Sequence, residues 1–184
     1  MVAFNQTLQN IIEKSQGTAA RTLDRLPRFT QASLAKILGY PYEYPDLDPL
    51  IKCMMAVQLK QGKSGLISSD IAESRKSFDL QMQSIRNKPT LVKRVEDLRL
   101  PLHSGTIFAR HYHPAPNKKL PMVVFYHGGG FVVGGLDSHD EACRLLAIHA
   151  RVQVLSIDYP LAPETSPAKL IQTCEDALAW VYQN

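Results

Sequence analysis

The chain has 184 residues, 45% apolar and 21% charged, with 21 Lys and Arg against 17 Asp and Glu and a formal net charge of +4. This balance excludes a disordered or collagen-like chain and predicts a soluble globular protein with a sizeable core. The basic surplus lies wholly in residues 1–88, which hold 12 basic and 8 acidic side chains, while residues 89–184 hold nine of each. With no basic cluster, that surplus reads as a solvated helical surface rather than a face for nucleic acid or an anionic membrane.

Residues 1–88 contain no strand-like run and read as a helical region. Leu8, Ile11 and Ile12 form one short apolar stripe. Leu34, Ile37 and Leu38 form another, closed by Gly39 and followed by a proline loop at 41–45. Leu50, Ile51, Met54, Met55, Val57 and Leu59 populate a helix over 47–60, whose methionines read as core rather than as a promiscuous binding face. Residues 61–65 are a break. Ile71, Arg75, Phe78, Met82 and Ile85 then recur at helical spacing, ending before Pro89.

From Pro89 the pattern changes. Val92, Val95, Leu98 and Leu100 predict a strand, and residues 106–112 the next, with His103, Ser104 and Gly105 turning between them. Residues 122–126, Met-Val-Val-Phe-Tyr, are a continuous apolar run of the kind found in a buried parallel strand. Ser138 with Glu141 three residues on reads as a capping box opening a helix to about Ala150. Residues 152–157 are another buried strand. Ser166 as N-cap and Pro167 at the first helical position start a last helix, with Leu170, Cys174, Ala177, Leu178 and Val181 on its apolar face. The order β-β-β-α-β-α implies an α/β fold with a mostly parallel sheet and helices on its faces.

Cys53, Cys143 and Cys174 are odd in number and form no C-x-x-C pair; Cys143 and Cys174 fall on apolar faces of expected helices and read as buried thiols in a reducing compartment. The first 12 residues lack a basic or long apolar stretch, and no run approaches ~18 apolar residues. The expectation is a cytoplasmic chain with neither signal peptide nor transmembrane segment.

Chemistry concentrates at Tyr126-His127-Gly128-Gly129-Gly130-Phe131, directly after a buried strand and before a helix. Three glycines in a row destabilise any regular element, so the loop uses their backbone freedom. A flexible loop or a phosphate nest has the same glycines. The leading histidine and the strand–loop–helix setting favour an oxyanion hole, in which peptide N–H groups meet a developing negative charge.

A second segment follows the next strand: Asp158-Tyr159-Pro160-Leu161-Ala162-Pro163-Glu164. Together with Gly134-Gly135-Leu136-Asp137-Ser138-His139-Asp140, the two segments resemble the hormone-sensitive-lipase-like branch of the α/β-hydrolases over about residues 90–184. The resemblance implies an incomplete α/β-hydrolase sheet of the first four strands over residues 89–184, preceded by a helical N-terminal cap over residues 1–88. It implies hydrolysis of small-molecule esters with short or medium acyl chains through an acyl-serine, with neither cofactor nor metal. Gly129 and Gly130 would donate the oxyanion N–H groups, Gly128 would allow the turn, and His127 would hold the loop. Phe131 would line the pocket, and Asp158 and Glu164 would tie down a neighbouring loop.

This chain departs from the family pattern at Pro160, where an arginine is usual, and at Thr165-Ser166-Pro167, one residue shorter than usual. It also contains no G-x-S-x-G nucleophile string; Gly62-Lys63-Ser64-Gly65-Leu66 fails both as that and as a P-loop. His103, His139 and His149 therefore have no nucleophile to serve. His111 and His113 share a strand face, where a packed pair outweighs a metal pair. The chain alone is expected to be inactive. The strand at 122–126 would be an exposed apolar edge, open to a complementing C-terminal half or to self-association. The alternative reading is a non-catalytic interaction or regulatory module derived from this fold.

Overall fold

The computed structural model describes Thr18, residues 22–40, Tyr44, and residues 46–60, 68–85 and 88–184. The stripe at Leu8, Ile11 and Ile12, the prolines at 41 and 45, the break at 61–65 and the side chain of Ile85 lie outside them. The chain divides into two compact units. The first comprises Met1–Ser68 and Leu80–Arg86, the second Ser69–Asp79 and Asn87–Asn184.

In the first unit α1 (Arg28–Ile37) packs on α2 (Pro49–Lys60). Their buried side chains are small: Ala35, Cys53 and Ala56, with Tyr40 beside them and Leu23, Leu34, Leu38 and Leu47 partly buried around. Buried Gln31 satisfies its amide by donating to Leu23 O and Leu26 O, both at 2.9 Å, and its own carbonyl accepts the Cys53 thiol at 3.0 Å. Asp48 starts α2 by accepting from Leu50 N at 2.9 Å. Two expectations are corrected here. Ile37 is 77% exposed, and Ile51, Met55 and Leu59 of the expected apolar stripe are exposed too. The helices meet over Ala, Cys and Gln, which allow a closer approach than the large residues that dominate the periodicity.

In the second unit β1 (Arg94–Leu102), β2 (Gly105–His113), β3 (Met122–Tyr126) and β4 (Gln153–Asp158) form one sheet in the order β1-β2-β4-β3. The expected mostly parallel sheet is corrected to a mixed one. β1–β2 and β2–β4 are antiparallel, and only β3–β4 is parallel. The two-residue turn at His103 and Ser104 makes the first pair a hairpin, whereas α4 (Asp140–Ala150) carries the crossover that a parallel pair needs. Ser104 N donates to Asp176 Oδ2 of α5 (Pro167–Gln183) at 2.9 Å, tying the hairpin turn to that helix.

The two faces of the sheet follow strict alternation. Leu100, Ala109, Leu155 and Ile157 join Leu170 and Ala177 of α5 in one cluster. Tyr112 and Val154 join Cys143 and Ala147 of α4 in another. β4 is thus buried on both sides, with Ser156 buried among Val154, Leu155 and Ile157. On α5, Ser166 caps as expected, accepting from Lys169 N at 3.4 Å. Leu178 is exposed and Cys174 half-buried, because Thr173 takes an interior position with its hydroxyl donating to Lys169 O.

The expected capping box is also corrected. The N-cap of α4 is His139, with no side-chain cap bond. Ser138 instead closes a local turn, accepting from Gly135 N at 2.9 Å and lying 3.0 Å from Gly135 O. Glu141 is drawn to Thr90, accepting from its N–H at 3.0 Å and its hydroxyl at 2.5 Å. Asp140 takes over the first turn. Its buried carboxylate accepts from Tyr112 OH at 2.9 Å and Arg144 Nε at 2.7 Å, and Arg110 approaches within 3.4 Å.

Candidate functional site

The glycine loop leaves the C-terminal end of β3, and residues 158–164 leave the C-terminal end of β4 beside it. In an open α/β sheet, this is where ligands bind. His127 is buried and stacks on Tyr159, with ring centroids 4.3 Å apart and planes 13° apart. Its Nδ1 lies 2.9 Å from Gly128 O, an atom that only accepts, so the ring proton sits on Nδ1. Tyr159 donates its hydroxyl to His127 O at 2.5 Å, and burial pushes that phenol up to about 12. The buried Nε2 of His127 has no partner among the described residues.

Gly128 does not make the turn as expected. Positive φ falls instead on Gly129 (131°), Gly130 (61°), Phe131 (64°) and Gly134 (100°). A Cβ on Gly129 would lie 2.0 Å from Val133 O, and one on Gly134 would lie 2.6 Å from both Gly128 O and His127 Nδ1. At Gly128 the nearest atom would be His139 Nε2 at 4.0 Å. The loop therefore folds back so tightly that Gly129 and Gly134 are obligatory by contact, while Gly128 is not. Val132 N and Val133 N both donate to Gly129 O at 3.1 Å. The N–H groups of Gly129 and Gly130 donate in none of the loop's backbone bonds. Phe131 projects from the turn with 59% of its surface exposed and its ring 6.4 Å from that of Tyr159.

Two segments brace this turn. Ala162 N donates to Phe131 O at 2.8 Å. Arg75 of α3 (Ile71–Ile85) donates through Nε to Val132 O at 2.8 Å and through Nη2 to Ala162 O at 2.9 Å. Its Nη1 and Nη2 grip the two oxygens of Glu164 at 2.9 and 2.7 Å. The guanidinium holds the Glu164 carboxyl down at about 2. With proline at position 160, the cation for Glu164 comes from α3. Arg75 was visible in the sequence only as a polar intruder in an apolar stripe. Asp158 lies at the end of β4, half-buried, with its carboxyl pushed up by burial; a Cβ on Gly135 would lie 3.6 Å from it.

The other histidines are placed apart from the loop or at its flank. His139 Nδ1 lies 2.9 Å from Ser138 Oγ, and burial, then the neighbouring His127, lowers its pKa. His111 and His113 are buried on β2 with rings 5.8 Å apart, His111 lying between Glu96 at 3.3 Å and Gln153 at 3.0 Å. Among the described residues no group of three His, Cys, Asp or Glu is arranged to hold a metal. No helix of the described residues is long and apolar enough to cross a membrane.

This geometry has relatives. A family model described as the alpha/beta hydrolase fold matches residues 123–184, from within β3 to the end of the chain. The carboxylic ester hydrolase LipN of Mycobacterium tuberculosis is 38% identical over 139 residues, 75% of this chain and 37% of LipN. The esterase LipI of the same organism is 37% identical over 147 residues, 77% of this chain and 43% of LipI. The solved structure of a Pyrobaculum calidifontis esterase is 34% identical, with a TM-score of 0.59 over 83% of this chain and 42% of that one. The chain thus spans well under half the length of these relatives. With the β3–loop–α4–β4 frame and both flanking segments in place, the chain carries part of the α/β-hydrolase fold and is similar to these ester hydrolases over part of their length.

Proposed function

We propose that this chain supplies the oxyanion-hole half of a carboxylic ester hydrolase. The observation that carries the reading is the turn at Gly129–Val133. It spends the Gly129 carbonyl on two internal bonds and leaves the Gly129 and Gly130 N–H groups out of its own hydrogen bonding. Such donors, fixed beforehand, stabilise the negative charge that grows on a carbonyl oxygen under attack, and loss of one costs ~3–4 kcal/mol of barrier in known cases. His127 and Tyr159 hold the loop's entry, and exposed Phe131 flanks the ester's acyl or alcohol group. The names of LipN, LipI and the Pyrobaculum enzyme support ester chemistry.

The nucleophile is the missing part. No G-x-S-x-G occurs in the 184 residues, so the serine, its acid and its histidine come from sequence outside this chain. The purified chain is expected to give no turnover of p-nitrophenyl butyrate above buffer; serine-dependent turnover overturns this. Replacing the matching segment of the Pyrobaculum calidifontis esterase with residues 69–184 tests the loop. The chimera is expected to hydrolyse the ester, and Gly129→Val in it to lower kcat at least 100-fold. Undiminished kcat overturns the oxyanion assignment. Three free thiols, two of them buried, support a reducing cytoplasmic compartment.

A second reading rests on β3, which ends the sheet with one edge unpaired among the described residues and Met122 exposed. Such an apolar edge suits a complementing strand or a second copy of the chain. Sedimentation of the pure chain separates the two: a concentration-dependent dimer supports self-pairing, a monomer the complementing half.

A further inference from the structure

We propose that Arg75 is the positioning residue of the glycine loop: its bonds to Val132 O and Ala162 O set the peptide planes that aim the Gly129 and Gly130 N–H groups. The inference rests on the reading of those groups as oxyanion donors.

Arg75 makes four hydrogen bonds, and they divide by purpose. Nε and Nη2 reach backbone carbonyls on two different loops, at 2.8 and 2.9 Å. Nη1 and Nη2 reach Glu164 at 2.9 and 2.7 Å. A guanidinium has its donors in one plane at fixed angles, so it sets the position of both carbonyls relative to each other. Glu164 orients the fork without touching the glycine turn.

The turn needs such an outside hold. Phe131 is a non-glycine residue at a φ of 64°, a strained conformation that persists only where its surroundings over-determine it. The two carbonyls at and after that residue are both clamped from beyond the turn, Phe131 O by Ala162 N and Val132 O by Arg75 Nε. Ala162 is itself clamped, since its carbonyl accepts from Arg75 Nη2. Removing the guanidinium releases Val132 directly and Phe131 at one remove. Phe131 then relaxes to negative φ, and the peptides on its N-terminal side rotate with it. Those peptides carry the candidate donors.

The test uses the full 184-residue chain, labelled with nitrogen-15, as wild type, Arg75→Met, Arg75→Lys and Glu164→Gln. Amide exchange of residues 129–134 and the Gly129 and Gly130 cross-peaks are read, with amides of β2 and β4 as the folding control. Arg75→Met is expected to lower loop protection at least tenfold and move both cross-peaks while the β4 amides hold. Arg75→Lys restores part of the protection, having one donor point instead of a fork. Glu164→Gln loses less than Arg75→Met, because the carbonyl bonds remain. Loop protection and cross-peaks within twofold of wild type in Arg75→Met overturn the proposal. Should that variant not fold, wild-type behaviour of both other variants overturns it. In the active chimera, Arg75→Met is expected to lower kcat tenfold or more with KM within twofold, since the donors act on the transition state. A Gly129→Val chimera with normal kcat sinks the oxyanion reading alone. A dead Gly129→Val beside an unaltered Arg75→Met sinks the positioning proposal alone.

Discussion

The two compact units are held by different kinds of side chain. The second buries Leu100, Tyr112, Val154, Leu155 and Ile157, large residues brought together by strand pairing across long stretches of chain. Among the described residues, the first buries Ala35, Cys53 and Ala56 beside Tyr40 and leaves Ile37, Ile51 and Leu59 in the open. Hydrophobic stabilisation scales with the apolar area removed from water, so each large side chain buried in the sheet unit contributes more than each small one buried between the two described helices. The difference shows where mutation acts: in the sheet by deleting volume, in the helix pair by adding it.

The largest expected effect is at the centre of β4. Ile157→Ala removes a fully buried side chain from the cluster with Leu100, Leu155 and Leu170 and is expected to cost ~3–4 kcal/mol, read as the midpoint of urea denaturation followed by circular dichroism. Next comes Asp140→Ala. It strips the acceptor from Tyr112 OH and Arg144 and a neighbour from Arg110, all around a carboxylate that is 4% exposed. Leaving those donors buried and unpaired is expected to cost ~3 kcal/mol. Tyr112→Phe with Asp140→Ala in a double-mutant cycle then separates the tyrosine's share.

The same contrast explains what could be read from the sequence. β3 matched at both ends and β4 to within one residue, because each is marked by a compact apolar stretch, Met122–Tyr126 in β3 and Val154, Leu155 and Ile157 in β4. The glycine loop was also legible as a tight irregular turn, since three glycines in a row destabilise a helix or strand. The helix pair was not. Its stripe was drawn through Ile37 and Met55, whereas the interface runs through Ala35, Ala56, Cys53 and the satisfied Gln31, residues whose small size or polarity hides them from a hydrophobic pattern. Glu141 was missed as a partner of Thr90, and Arg75 as a partner of Val132, Ala162 and Glu164, for another reason: these bonds join residues more than 50 positions apart. A local rule such as the capping box sees only neighbours, and here the distant partner won.

In the first unit the sharpest comparison is between filling and trimming. Ala56→Leu pushes a larger side chain against Cys53 and Ala35 and is expected to cost ~2 kcal/mol by overpacking. Ile37→Ala, at a 77% exposed position, is expected to stay within ~0.5 kcal/mol of wild type in the same denaturation experiment. The apolar stripe drawn from the sequence demands the opposite order. A costly Ile37→Ala beside a harmless Ala56→Leu restores that stripe and removes the contrast between the units.

The smallest effect lies at the brace of the glycine loop and is set by pH. Arg75 holds the Glu164 carboxyl at about 2, down from an ordinary 4.5, chiefly through the paired side-chain hydrogen bonds. A carboxyl depressed in the folded state contributes stability that is fully present above 4.5. That contribution declines as pH falls from 4.5 toward 2 and is gone below. Both partners reach solvent, with side-chain exposures of 30% and 62%, so salt screens the pair and its contribution to global unfolding is small. The effect is therefore best read at the group itself. A carbon-13 titration of the Glu164 carboxyl is expected to show a midpoint near 2 in the wild type. The midpoint should rise toward 4.5 in Arg75→Met and, by a smaller amount, in high salt. Above the transition, the loop keeps all four bonds of the guanidinium; below it, the bonds to Glu164 lose their charge, while those to Val132 O and Ala162 O are unchanged. A wild-type midpoint already at 4.5 means that the fork does not grip Glu164, and the brace then rests on the two carbonyls alone.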